Sequence, residues 1–256
     1  MLKNILAISK NTFRETVRDR ILLSAFFVII AMIVFTLFIA SISLEQSTRM
    51  IIDFSTTAIY ALQIFVAIFI GSMLIYKEIE RKTFYLILPK PITQIEIIIG
   101  KCLGLTLTTV VVTLLSTTVL FAILFFQGGQ IFFWPILASV LMSTLEAILL
   151  ILVSILFSGI TSPILASVST VAIFVIGHAE GIFRYMFMTT QIPAIEFVAK
   201  VVYYILPNLE KFNIRNDIIH GIVPSLEMIL TAVLYGVSYA LLLLVITQRA
   251  FRGKDY

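Results

Sequence analysis

Residues 77–101, KEIERKTFYLILPKPITQIEIIIGK, separate two apolar stretches that are each long enough to cross a bilayer. The segment holds five of the chain's 18 Lys and Arg residues and three of its 14 Asp and Glu residues. Because lysine and arginine resist translocation, a cationic loop between two spanning helices is expected on the cytoplasmic side. The sequence therefore predicts a chain that crosses the membrane and presents this loop to the cytoplasm.

The order of residues within the loop predicts a helix, a break and a new helix start. A charged helical turn leads into an apolar run that stops at Pro89 and Pro91. Thr93 can cap the next helix, with Glu96 three residues later completing a capping box. Such a folded, charged surface is suited to docking a soluble partner. The residues expected to form it are Glu78, Glu80, Arg81, Thr83, Pro89, Pro91, Thr93 and Glu96.

Composition indicates the class of protein. Apolar residues make up 60% of the chain, charged residues 12%, and the mean hydropathy is +1.10, whereas soluble domains carry about 25% charged residues. A spanning helix needs roughly 20 apolar residues, so 256 residues allow six or seven spans and leave no room for a soluble domain. We therefore predict an all-α polytopic membrane protein with a single transmembrane domain over residues 1–256.

Six transmembrane helices are expected, over residues 21–44, 54–76, 102–126, 131–157, 163–182 and 225–247. Two further helices should be amphipathic. In the first 20 residues, Leu2, Leu6 and Phe13 share an apolar face opposite several cations, which predicts a helix lying in the inner headgroup layer. Before the sixth span, apolar residues from Ala194 to Ile205 share the face of a helix expected on the extracytoplasmic side.

The distribution of cations predicts the orientation. With the N-terminus inside, the cytoplasmic segments would hold 13 Lys and Arg residues and the external segments five. This bias places both termini in the cytoplasm of a multi-pass protein of the cytoplasmic (inner) membrane. The formal net charge of +4 is explained by it, and no nucleic-acid partner is expected.

The motifs of catalysis and nucleotide binding are missing from the sequence. A phosphate-binding loop has the pattern G-x-x-x-x-G-K-[ST], but Gly100-Lys101 is followed by Cys102, and Ile95 occupies the first glycine position. The single cysteine excludes an intrachain disulfide and a cysteine-based metal cluster. We expect a non-catalytic membrane subunit that binds neither cofactor nor metal itself.

Glu146 is the most informative single residue, because a carboxylate in the middle of a span is costly unless it is paired or hydrated. It is a candidate for a polar translocation path or a proton carrier. The alternative is a hydrogen-bonded group between helices, for example facing a Ser or Thr of the third span. His178 and Glu180 are expected at the outer headgroup level.

Three passages carry a resemblance to a known family. They are TFRETVRDR at residues 12–20, the pattern E-x-E-x-x-T at residues 78–83 with P-I-T at 91–93 and Gly100-Lys101, and LPNLEKFN at residues 206–213. In these passages the chain resembles the permease subunits of type-2 ABC exporters, and among them the NosY-like group linked to copper-enzyme maturation. It departs from the pattern at Gln94, where relatives often have arginine.

The resemblance implies the function of an exporter's non-catalytic half. Two six-span permeases, as a homodimer or a closely related heterodimer, would form the pathway in the lipid bilayer. Separate ATP-binding cassette subunits, which hold the ATP and Mg, would dock on the loop 77–101. The cargo stays open between a lipid, a peptide, an antibiotic and a sulfur species for copper-site assembly.

Two alternatives come from other classes of protein. One is an ion-coupled secondary transporter that uses Glu146 as the carrier, although such carriers normally need several charged groups in the membrane. The other is an integral-membrane enzyme whose site is formed by Glu146, His178 and the external loop. The lack of catalytic motifs counts against it.

Overall fold

A computed structural model describes residues 2–42, 47–80, 93–127, 133–190, 192–219 and 224–251. Within these ranges every regular element is helical, in agreement with the all-α prediction. Helices are expected here because the backbone of an apolar segment in lipid must satisfy its own hydrogen bonds.

The helices follow one another with short connections. Their bounds are α1 (Leu2–Val17), α2 (Arg20–Ile42), α3 (Ser47–Phe65), a π-helical turn (Val66–Ile70), α4 (Gly71–Glu80), α5 (Gln94–Phe126), α6 (Phe133–Ser158), α7 (Pro163–His178), α8 (Glu180–Thr189), α9 (Pro193–Ile205), a 3-10 turn (Glu210–Phe212), α10 (Arg215–Ile219) and α11 (Leu226–Phe251).

Five helices in the described part of the chain are long and apolar enough to cross a membrane. A sixth results if α7 and α8, which meet at an angle of 62°, count as one span. The bend falls inside the predicted fifth span, 163–182. It occurs where the Gly177 carbonyl accepts a hydrogen bond from the Leu209 N–H at 3.0 Å and Ala179 leaves the helical conformation.

Two helices begin earlier than the spans predicted from hydropathy. The second predicted span starts at residue 54, but α3 begins at Ser47, and the third starts at residue 102, but α5 begins at Gln94. The extra turns carry charged residues such as Arg49 and Glu96. Charges end an apolar stretch without ending a helix, so hydropathy marks where the chain is apolar and not where the helix starts.

The centre of the bundle is formed by the α3–α4 helix and α6. Buried residues make up 72% of the hydrophobic window of α3–α4 and 67% of that of α6, but only 22% and 17% in α2 and α11. α3 and α4 form a continuous helix through the π-helical turn. Directly after that turn, Gly71 lies against the side chain of Ser154 on α6, and a Cβ at this position would collide with the serine hydroxyl.

The two predicted amphipathic helices are present as helices. α1 packs against the first turns of α5 through Ser9, Thr12 and Thr16, and leaves Leu2 and Leu6 exposed. α9 packs on α8, with the Phe187 and Tyr203 rings 5.2 Å apart, and its apolar side chains are largely exposed. In the protomer, the apolar face of α9 is therefore not covered by the ends of the spans.

Candidate functional site

The predicted docking residues fall on both sides of a gap in the described structure. Glu78 and Glu80 lie in the last turn of α4. Arg81, Thr83, Pro89 and Pro91 lie outside the described residues. Thr93 and Glu96 stand at the start of α5, where the Thr93 N–H donates a hydrogen bond to Glu96 Oε2 at 2.9 Å. The helix start that the sequence predicted at Thr93 is therefore present.

Glu96 also connects α5 to α1. Its carboxylate accepts a hydrogen bond from Asn4 Nδ2 at 3.4 Å, and its side chain is buried. Below this contact Gly100 and Gly104 face α1. A Cβ on Gly100 would lie 2.7 Å from Ile8 Cβ, and a Cβ on Gly104 would lie 2.6 Å from the Ser9 carbonyl oxygen. The close approach of α1 thus depends on both glycines.

The helix that precedes the gap is fixed to its neighbours by buried polar contacts. Lys101 of α5 is only 2% exposed, and its Nζ donates a hydrogen bond to the Leu74 carbonyl of α4 at 3.4 Å. Ser158 at the end of α6 donates to the Ser72 carbonyl at 2.6 Å. The sequence analysis missed Lys101 as a buried group, although a lysine followed by 25 uncharged residues is a usable signal.

A second polar cluster lies in the middle of the bundle, between α3, α6 and α7. The Tyr60 hydroxyl donates a hydrogen bond to Glu146 Oε1 at 2.6 Å. His178 Nε2 lies 3.4 Å from the same carboxylate oxygen and 3.3 Å from the Tyr60 hydroxyl. Glu146 is 1% exposed. Its interhelical partners are therefore Tyr60 and His178, and not a hydroxyl of the third span.

The histidine and the glutamate near the end of the fifth predicted span have different surroundings. His178 reaches Glu146, as described above, and its Nδ1 lies 3.0 Å from the Phe174 carbonyl oxygen. Glu180, beyond the bend, interacts instead with the Tyr203 hydroxyl of α9, and desolvation together with this contact raises the pKa of Tyr203. Sequence reasoning assigned both residues to one level, because it did not foresee the bend.

Residues 206–219, which follow α9, cover this cluster. Leu209 and Pro207 pack on Gly177, where an added Cβ would lie 2.7 Å from Leu209 Cγ. The Arg215 guanidinium carbon lies 3.6 Å from the centre of the Tyr60 ring. Arg215 was not predicted as a site residue. Its place in the third passage of the resemblance, just after LPNLEKFN, was the only available signal.

Other hydroxyl groups of the third predicted span have their own partners. The Gln63 amide of α3 donates hydrogen bonds to Thr113 of α5 and Thr144 of α6, both at 3.0 Å. Thr108 and Thr109 donate to carbonyls of their own helix. Within the described ranges no group of three His, Cys, Asp or Glu side chains could hold a metal ion.

A family model described as "ABC-2 family transporter protein" matches residues 6–255. The match includes α1, the segment around residues 77–101 and the cluster at Glu146. The chain belongs to the ABC-2 transporter family. As an ABC-2 protein with several apolar helices it is a multi-pass membrane protein and fits the permease component of an ABC transporter. A comparison with curated proteins gives no match for this sequence.

ABC-2 permeases are generally non-catalytic membrane subunits that associate with an ATP-binding subunit. The geometry of this ABC-2 chain offers two regions to which a function can be assigned. One is the segment between α4 and α5, and the other is the Tyr60–Glu146–His178 cluster with residues 206–219 above it.

Proposed function

We propose that this chain is the transmembrane subunit of an ATP-driven exporter and that it docks a separate ATP-binding cassette subunit through residues 77–101. The observation that carries the proposal is the match of the ABC-2 family model to residues 6–255. The nucleotide and its Mg are then held by the partner, in keeping with a sequence that lacks a phosphate-binding loop.

The packing on either side of the docking segment supports a coupling role. α4 is hydrogen-bonded to α6 through Ser158 and to α5 through Lys101. α5 is hydrogen-bonded to α1 through Glu96. Because interiors are close-packed and transmit displacement, a force applied to residues 81–92 would reach three other helices of the bundle. A loop joined to the bundle in this way is suited to transmit a partner's movement.

Several finer assignments belong to the same proposal. Export as the direction of transport and membership of the NosY-like group are supported by the three sequence passages that resemble that group. The cytoplasmic position of both termini in the inner membrane is supported by the distribution of 13 cations against five. A second permease copy, identical or closely related, is supported by the exposed apolar faces of α2 and α11.

Glu146 is a candidate pathway residue from the sequence. Its hydrogen bond from Tyr60 and its 3.4 Å contact with His178 favour a role in joining α3, α6 and α7. We therefore propose that this carboxylate holds the bundle together and does not bind cargo directly. An ion-coupled carrier would need further charged groups along its path.

The docking role is tested by replacing the acids at the end of α4. Glu78→Ala/Glu80→Ala should leave the fold intact, because exposed ion pairs of these acids with local cations would contribute only about 0–1 kcal/mol. Loss of contacts to the partner should nevertheless weaken co-purification of the ATP-binding subunit, or uncouple ATP hydrolysis from transport. Pro89→Ala/Pro91→Ala should have the same effect by allowing the helix to continue through the break.

The matched control is Glu180→Ala/Glu196→Ala, which removes two acids from the segment predicted on the other side of the membrane. It should keep co-purification and coupled ATP hydrolysis at the original level. If the two docking variants assemble and turn over like the unchanged protein, the segment 77–101 is not the coupling element.

A further inference from the structure

The arrangement of hydrogen atoms in the Tyr60–Glu146–His178 cluster is constrained by the partners of the imidazole. His178 Nδ1 lies 3.0 Å from the Phe174 carbonyl oxygen, which can only accept, so Nδ1 carries a proton. In a neutral imidazole Nε2 is then an acceptor. It faces two oxygens, Glu146 Oε1 at 3.4 Å and the Tyr60 hydroxyl at 3.3 Å.

The Tyr60 hydroxyl cannot fill this gap, because its one hydrogen is donated to Glu146 at 2.6 Å. An ionised carboxylate and a neutral imidazole would therefore point lone pairs at each other. One additional proton between Nε2 and Oε1 removes this conflict and gives either an imidazolium–carboxylate pair or a carboxylic acid that donates to the imidazole. The geometry fits a cluster that holds one shared proton.

The charged groups around the cluster determine what a second proton would do. Arg215 of α10 stacks on the Tyr60 ring, and both Arg215 and Glu210 interact electrostatically with Glu146. α10 also carries Asp217. With one shared proton the Glu146–His178 pair is neutral. With two it carries a positive charge beside the Arg215 guanidinium, and the two cations repel each other at short range.

We propose that Tyr60, Glu146 and His178 form a proton-binding latch, in which a second proton releases residues 206–219 from the cleft between α3, α6 and α7. The segment is seated next to His178 by the Leu209–Gly177 hydrogen bond and by Arg215 on Tyr60. Since histidine changes charge between about pH 5 and 8, release occurs on acidification. This latch goes beyond the coupling role and does not depend on it.

The latch is tested on the full chain in lipid nanodiscs, with Cys102→Ser as background. Ile214 is 2% exposed while the segment is seated, and the neighbouring Asn216 is exposed. Ile214→Cys and Asn216→Cys are labelled in separate samples with a thiol reagent, and the ratio of the two rates is measured from pH 7.5 to 5. The ratio cancels the pH dependence of the thiolate itself.

Because the released state binds one proton more, the labelling ratio should rise on acidification by up to about tenfold per pH unit. Glu146→Gln/His178→Gln removes both titrating groups, and the ratio should then be independent of pH. Arg215→Gln keeps a planar group on the Tyr60 ring but removes the opposing charge, and it should also abolish the rise. Glu180→Gln, two residues from His178 but bonded to Tyr203, should keep the full response.

Three results would overturn the latch. They are a constant ratio with the intact cluster, an unchanged rise in the Glu146→Gln/His178→Gln variant, and an unchanged rise in Arg215→Gln. Arg215 lies on a half-buried surface helix, so this variant provides a test even if the double replacement in the bundle does not fold. The readout needs no ATP-binding subunit, and a failure of the docking proposal would leave it unaffected.

Discussion

Individual glycines determine how closely the helices of this protein approach each other. The sequence contains two G-x-x-x-G pairs, at residues 100–104 and 177–181. Both members of the first pair contact α1, whereas in the second pair only Gly177 is covered and a Cβ on Gly181 would meet nothing within 4 Å. Identical spacing therefore has different consequences, because the neighbouring element covers only one of the two pairs completely.

Gly104→Ala is expected to destabilise the protein. The new methyl group would lie 2.6 Å from the Ser9 carbonyl oxygen and from Thr12 Cβ, and relief of such overpacking typically costs 1–3 kcal/mol. We expect a lower midpoint of thermal unfolding in detergent. Gly181→Ala is the matched control and should be neutral or slightly stabilising, because alanine is the better helix former by about 1 kcal/mol. Equal midpoints for the two variants would contradict the close packing of α1 on α5.

Among the helices, α1 combines two kinds of contact on one short element. Its small polar residues Ser9, Thr12 and Thr16 are buried against α5. Leu2 is 77% and Leu6 64% exposed, on a face beside this contact. The amphipathic pattern predicted a helix, but the packed side is the small polar one. The exposed leucines remain free to enter the headgroup layer, as the sequence predicts for this helix.

A lipid-facing position of Leu6 can be measured directly. In the Cys102→Ser background, a bimane label on Leu6→Cys should be quenched strongly by lipids that carry bromine on their acyl chains. The same label on Glu15→Cys should be quenched weakly, because nine residues at 100° per residue place position 15 on the opposite side of α1. Equal quenching at the two positions would show that α1 does not lie in the interface.

For the whole molecule, orientation in the membrane is the property on which the docking proposal depends. The 13-to-five distribution of cations predicts that residues 77–101 and both termini face the cytoplasm. In the Cys102→Ser background, cysteines at Lys90 and Lys254 should be protected in intact cells from a thiol reagent that cannot cross the membrane. Cysteines at Arg49 and Lys211 should react. Labelling of position 90 from outside would reverse the orientation and remove the docking surface from the cytoplasm.

Much of this architecture follows from the sequence alone. Uncharged stretches of more than 20 residues, the pattern from Thr93 to Glu96 and the amphipathic faces of α1 and α9 depend on composition and on neighbours within four residues. Such local signals determine where helices form and in what order. They predicted a helical membrane protein, a helix start after Thr93, and the family to which the chain belongs.

The tertiary structure alone decided which buried polar groups meet. Tyr60 and Glu146 are 86 residues apart in the chain, and Tyr60 and His178 are 118 residues apart. Their contact depends on how far each helix is rotated about its axis and on the bend after His178. Arg215 approaches the same point from a segment that the sequence predicts outside the membrane. Hydropathy is insensitive to helix rotation, because an apolar stretch buries equally well at any rotation, and only the packed bundle fixes the partner of a polar side chain.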